Sequence, residues 1–296
     1  MRKNEVTETV RVFRTVKSDE KGNLCKNVIM LCISALFALF TFTGCDNNSS
    51  PKENEDDQKN EETTSDWSKY FVGDILFYDE APDTEGSRIY HSIIPSPKDY
   101  IAEQARTVLS TLYFSPEDSI VPVNYLRYYL KDIEGVSAKS GGNGDVTIFY
   151  STRHIENTFA GRDTTQLFFE TRGVLLHELT HAYQLEPQGI GSYGTNRVFL
   201  AFIEGMADAV RVANGGFTEK DRPIGGNYMD GYRTAGYFFV WLKDNKDPDF
   251  LRKFNKSTLE VIPWSFDGGV KYALGKNADI DSLWREYQLA MGDIKE

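Results

Sequence analysis

Hydrophobic and polar residues fall into three textures along the chain. Residues 28–43 (VIMLCISALFALFTFT) are uncharged and largely apolar. Residues 46–66 (DNNSSPKENEDDQKNEETTSD) hold eight acids, two lysines and no large apolar side chain. Such a stretch cannot bury enough surface to offset the entropy of ordering it. From Trp67 onward short apolar runs come first, and after Thr171 they give way to longer stretches with helical spacing.

In that third part, β-like runs are predicted over 70–78 and 89–94. Ser96-Pro97 offers an N-cap followed by proline at the first helical position, and Ile101, Ala105, Val108, Leu109 and Leu112 keep helical spacing. The pattern over 121–130 reads as a strand, 139–145 (KSGGNGD) as a glycine-rich turn and 146–150 as another strand. Helices are expected over about 172–184, 197–214, 231–244, 247–257 and 280–291. Strands first and helices afterwards argue for an α+β fold rather than alternating βαβ units. No internal repeat or second low-complexity break interrupts 67–296, so it is read as one domain, expected to act as a monomer.

Charge and cysteine use narrow the classes further. With 33 Lys+Arg against 44 Asp+Glu the net charge is −11, which argues against a nucleic-acid partner. Cys25, Cys32 and Cys45 all precede the folded part, which therefore has no disulfide and no thiolate metal site. The 28–43 run falls short of the ~20 residues of a comfortable membrane span and, behind Lys26 and several earlier cations, suits the h-region of a signal peptide. Phe42-Thr43-Gly44-Cys45 then resembles a bacterial lipobox. Residues 1–44 are accordingly expected to be a lipoprotein signal peptide and 45–66 a lipidated Cys45 with an acidic tether. An uncleaved anchor helix is the alternative, and either arrangement places 67–296 outside the cytoplasm. The acidic stretch resembles surface-export signals of some Gram-negative lineages as well as a plain solvated linker.

Candidate chemistry concentrates in one motif. Of only four histidines, His177 and His181 stand in H-E-x-x-H within Val174-Leu175-Leu176-His177-Glu178-Leu179-Thr180-His181. Positions i and i+4 of a helix share a face, so both imidazoles can meet one metal ion, with Glu178 beside them to act on a bound water. A metzincin would continue with glycine at 184 and histidine at 187, where this chain has Gln184 and Pro187. The stretch 198–210 (VFLAFIEGMADAV) is apolar nearly all round and so buried, yet Glu204 and Asp208 interrupt it at i and i+4. Isolated buried carboxylates cost several kcal/mol unless compensated, and a zinc ion on His177 and His181 would compensate them. Glu204 is favoured as third ligand and Asp208 as acceptor for a ligand histidine's free N–H; the reverse assignment stays open. Pairing with local partners such as Arg197 or Arg211, or simply facing solvent, is the alternative for both acids.

These residues, with Ile203 to Arg211, Asp230-Gly231-Tyr232, Ser282-Leu283-Trp284 and the upstream Ile133-Glu134-Gly135-Val136 segment, resemble the basic secretory protein family, zinc peptidases of plants and bacteria. The resemblance covers roughly 89–291. It implies a zincin-like metallopeptidase domain, with a small mixed sheet, a mainly helical second half and the H-E-x-x-H helix at the cleft. It also implicates Tyr232 as a donor to the developing oxyanion, although a tyrosine among Tyr228, Tyr237, Phe238 and Phe239 also suits a core. The acidic, lipid-anchored character departs from the basic, secreted plant members, so substrate preference does not carry over.

The function expected is zinc-dependent hydrolysis of extracellular proteins or peptides, with Glu178 taking the proton of the attacking water. A non-catalytic zinc-containing surface protein that binds host protein or glycan is the rival, as is an enzyme acting on glycosylated proteins or other amides. His154, after a predicted strand, and the glycine-rich 184–195 loop are weaker candidates for the cleft.

Overall fold

The computed structural model describes residues 66–159, 161 and 163–295. The expected signal peptide, Cys45 and the tether up to Ser65 lie outside the described residues.

Side-chain alternation builds the sheet. In β2 (Tyr125–Lys131) and β4 (Asp145–Ser151) every second residue is buried: Leu126, Tyr128 and Leu130 in one, Val146, Ile148 and Tyr150 in the other. Parallel pairing sets these side by side, Leu126 against Val146, Tyr128 against Ile148 and Leu130 against Tyr150. β1 (Asp74–Asp79) pairs parallel to β2 and adds Ile75 and Phe77 to the same face. β3 (Ser137–Gly142) runs antiparallel to β4 and closes the order β1-β2-β4-β3 as an edge.

The buried face is covered by α1 (Glu85–Ile93), α2 (Pro97–Leu112), α3 (Thr152–Phe159) and α4 (Thr164–Tyr183). In α1, Tyr90 stacks on Phe77 and Tyr128. The C-terminal end of α4 is fixed by two buried phenols. Tyr183 donates to the Val72 carbonyl at 2.6 Å, and Tyr113 donates to the Tyr183 carbonyl at 2.6 Å.

The second half consists of α5 (Arg197–Ala213), α6 (Tyr232–Asn245), α7 (Phe250–Glu260), α8 (Phe266–Leu274) and α9 (Ile280–Ala290). Its core is aromatic: Phe202, Phe238, Phe239 and Phe254 are fully buried, each such burial contributing about 1.5–3 kcal/mol. Glycines let α5 and α6 approach closely. A Cβ on Gly205 would stand 2.7 Å from that of Ala235, and one on Gly236 would stand 2.9 Å from the backbone of Asp208 and Ala209.

The α+β reading stands, with a four-stranded mixed sheet, but several elements differ from expectation. Residues 89–94 belong mostly to α1, because the Thr84 hydroxyl caps Ser87 N and Tyr90 turns inward at helical spacing. The expected turn at 139–145 is mostly strand β3. The turn itself contracts to Asn143-Gly144, both at positive φ (53° and 83°), which suits a two-residue hairpin. Helix α4 starts at Thr164, where Asp163 caps Thr165 N, rather than near residue 172. Helices α3 and α8 were not foreseen. No helix among the described residues is long and apolar enough to cross a membrane.

Candidate metal centre

Leu175, Leu176 and Leu179 bury α4 in the core, which leaves His177 and His181 partly exposed together one turn apart. Neighbouring α5, capped by the Asn196 side chain on Val198 N and Phe199 N, is buried along most of its length. It presents Glu204 and Asp208 to the histidines. The two imidazoles face each other, Nε2 to Nε2, at 3.1 Å. Glu204 Oε2 lies 3.3 Å from His177 Nε2 and 3.6 Å from His181 Nε2. That oxygen is buried and makes no hydrogen bond. Three potential ligand atoms thus converge on one point. Ligand bonds of about 2.0–2.2 Å at tetrahedral angles would space donor atoms by roughly this much, and two imidazoles with a carboxylate suit zinc. His177, His181 and Glu204 form a group that could hold a metal ion.

Each of the three has a partner on its outer side. His177 Nδ1–H donates to Asp208 Oδ1 at 2.7 Å. His181 Nδ1 lies 2.9 Å from the Gln184 carboxamide. Glu204 Oε1 accepts a hydrogen bond from the Tyr193 hydroxyl. Arg197 and Arg211 hold other acids, Asp230 and Glu170 respectively, rather than Glu204 and Asp208.

Charge follows this wiring. Burial disfavours a charged His177, but Asp208 outweighs it and raises the imidazole's pKa well above its usual value. Burial likewise works against an ionised Glu204, yet the two histidines hold its carboxyl well below the usual range. Glu178 differs. It is 6% exposed, and burial raises its pKa more than the neighbouring histidines and Ser137 lower it. A carboxylate that takes a proton readily beside the metal group is the property a general base needs.

Tyr232 stands at the start of α6, its ring parallel to that of His177 with centroids 6.5 Å apart. Its φ of 45° is an uncommon conformation for a bulky residue, and it follows Gly231 at φ 71°. The Tyr193 phenol, kept protonated by burial and by Glu204, also interacts with Tyr232. His154 is elsewhere: it sits in α3 with Nε2 3.8 Å from Glu170, two turns before His177 on α4. The strand preceding it, β4, is interior, and the edges of the sheet are β1 and β3. Tyr193 and Gln184 were not singled out as site residues from sequence. Both lie in the glycine-rich 184–195 loop, which is a weaker candidate for the cleft as a whole, and Gln184 otherwise registers as a departure from the metzincin pattern.

A family model described as BSP, peptidase of plants and bacteria, matches residues 74–287, well over half of the chain. No curated protein and no solved structure matches.

Proposed function

The chain belongs to the BSP family, peptidases of plants and bacteria, and from that premise we propose that it is a zinc-dependent endopeptidase of zincin type. The observation that carries this reading is the convergence of His177 Nε2, His181 Nε2 and Glu204 Oε2 with Glu178 directly beside them. These three residues would hold the zinc, which when bound would polarise the scissile carbonyl and lower the pKa of a water toward ~7.

The chain's own groups account for the remaining steps. Glu178, buried and raised in pKa, takes the proton of the attacking water and delivers it to the leaving amine, with no covalent intermediate. Asp208 fixes the His177 tautomer by accepting from Nδ1, which points Nε2 at the metal position. Tyr232, parallel to His177, is the candidate donor to the oxyanion. The substrate is a protein or peptide, as the family's description implies. We also propose that the enzyme works as a monomer outside the cytoplasm, held by lipid on Cys45. Replacing Cys45 by alanine should abolish fatty-acid labelling and release the protein from membranes.

The test of the reaction is Glu178→Gln in the full chain. About one zinc per chain should remain bound, while peptide hydrolysis falls by roughly 10²–10⁴-fold, the usual contribution of general acid–base catalysis. Unchanged hydrolysis would remove Glu178 from the mechanism. Zinc binding without any hydrolysis by the wild type would favour a non-catalytic surface protein.

A further inference from the structure

Glu204 uses its two carboxylate oxygens differently. Oε2 faces both histidines and makes no hydrogen bond, whereas Oε1 accepts from the Tyr193 hydroxyl. Tyr193 belongs to the loop between α4 and α5, and that loop is pinned close to the tyrosine. Ser192 N donates to Thr195 Oγ1 at 3.0 Å, and Asn196 Nδ2 donates to the Ile190 carbonyl at 2.7 Å. Asn196 also caps α5, the helix that bears Glu204, so tyrosine and carboxylate are set by the same short segment.

The distinction bears on catalysis. A carboxylate beside a divalent cation can bind through one oxygen or through both. Binding through both would use a position that a catalytic site has to leave for water, since such sites combine three protein ligands with one open position. A phenol on Oε1 takes up one of that oxygen's two lone pairs and competes with two-oxygen binding for it. It makes a charge-assisted hydrogen bond in a largely buried setting, where giving it up is costly.

We propose, on the zinc-site reading above, that Tyr193 is a positioning residue that keeps Glu204 a one-oxygen ligand and so preserves the position at which water is activated. It acts through Glu204, whereas Tyr232 lies with its ring parallel to that of His177.

Infrared difference spectra of the zinc-loaded minus zinc-free full chain test this, because the separation of the antisymmetric and symmetric carboxylate stretches is wide for one-oxygen binding and narrow for two. Bands missing from Glu204→Gln identify those of Glu204. The expected result is a wide separation in the wild type, a narrowed one in Tyr193→Phe, and the wide one restored by 3-fluorotyrosine at position 193, which regains the hydroxyl. An unchanged separation in Tyr193→Phe would overturn the proposal and leave the zinc-site reading intact. Zinc-dependent bands that survive in Glu204→Gln would remove Glu204 as a ligand and overturn both.

Discussion

Asp208, on α5, accepts the Nδ1–H of His177, on α4, at 2.7 Å, and the link orients the imidazole as well as joining the two helices. Both side chains are well buried, so the N–H has no ready alternative partner. Asp208→Ala is expected to lower zinc affinity by about 10- to 100-fold, the usual effect of losing such an outer partner. Titration against a competing chelator checks this. Asp208→Asn, which retains an acceptor oxygen, should lose less.

His181 is supported by an amide instead of a carboxylate. Gln184 is 4% exposed, its Nε2 lies 2.9 Å from His181 Nδ1, and its Oε1 is buried without a partner. Once Nε2 of the imidazole binds a metal, Nδ1 carries the proton and needs an acceptor, which the carboxamide supplies by turning its unpartnered Oε1 to Nδ1 in place of its own Nε2. Gln184→Leu should weaken zinc binding about tenfold, whereas Gln184→Glu should keep or strengthen it. The same chelator titration separates the two. Equal affinities in the leucine variant and the wild type would mean that His181 is oriented by its packing alone.

The residues legible in the sequence are those whose relation is fixed along one helix. His177, Glu178 and His181 declare themselves through i, i+4 spacing, and Glu204 and Asp208 through two charges in an otherwise apolar helix. Tyr193 and Gln184 reach the site from a loop and a helix C-cap, and their placement depends on how α4 and α5 pack. The same limit explains the elements that were misjudged. Residues 89–94 carry strand-like apolar side chains, but the Thr84 cap and the burial of Tyr90 commit them to α1. The glycines of 141–144 suggest a loop, whereas pairing with β4 extends strand β3 to Gly142 and leaves Asn143-Gly144 as the turn.

Close packing between α5 and α6 positions the acids, and it can be tested away from the chemistry. Gly236→Ala would place a Cβ 2.9 Å from Asp208 Cβ and from the backbone of Asp208 and Ala209, which cannot yield as a long side chain could. Overpacking of this kind typically costs about 1–3 kcal/mol. Urea unfolding should show that loss, and zinc affinity should fall with it because Asp208 is displaced. A variant destabilised to this extent with unaltered zinc affinity would show that the Asp208 contact tolerates movement of α6.

Acid sensitivity should originate partly in a second cluster, around Glu170 on α4. Arg211 Nη2 donates to Glu170 at 2.8 Å, and His154 approaches the same carboxylate, which also faces the buried Tyr150. Burial alone would raise the Glu170 pKa, but the neighbouring His154 and Arg211 outweigh it and hold the carboxyl below its ordinary value of 4.5. A depressed carboxyl stabilises the fold above its unfolded-state pKa, and that contribution is lost as pH falls through the folded-state value. Stability should therefore decline below about pH 4.5. In Glu170→Gln the decline should be shallower, because one titrating group has gone. At neutral pH the same variant should be less stable by about 1.5–3 kcal/mol, the range for a hydrogen bond to a charged group, because buried Arg211 loses its counter-charge. Urea midpoints measured at neutral and acid pH check both signs, and parallel pH profiles for variant and wild type would exclude Glu170 as a source of the acid sensitivity.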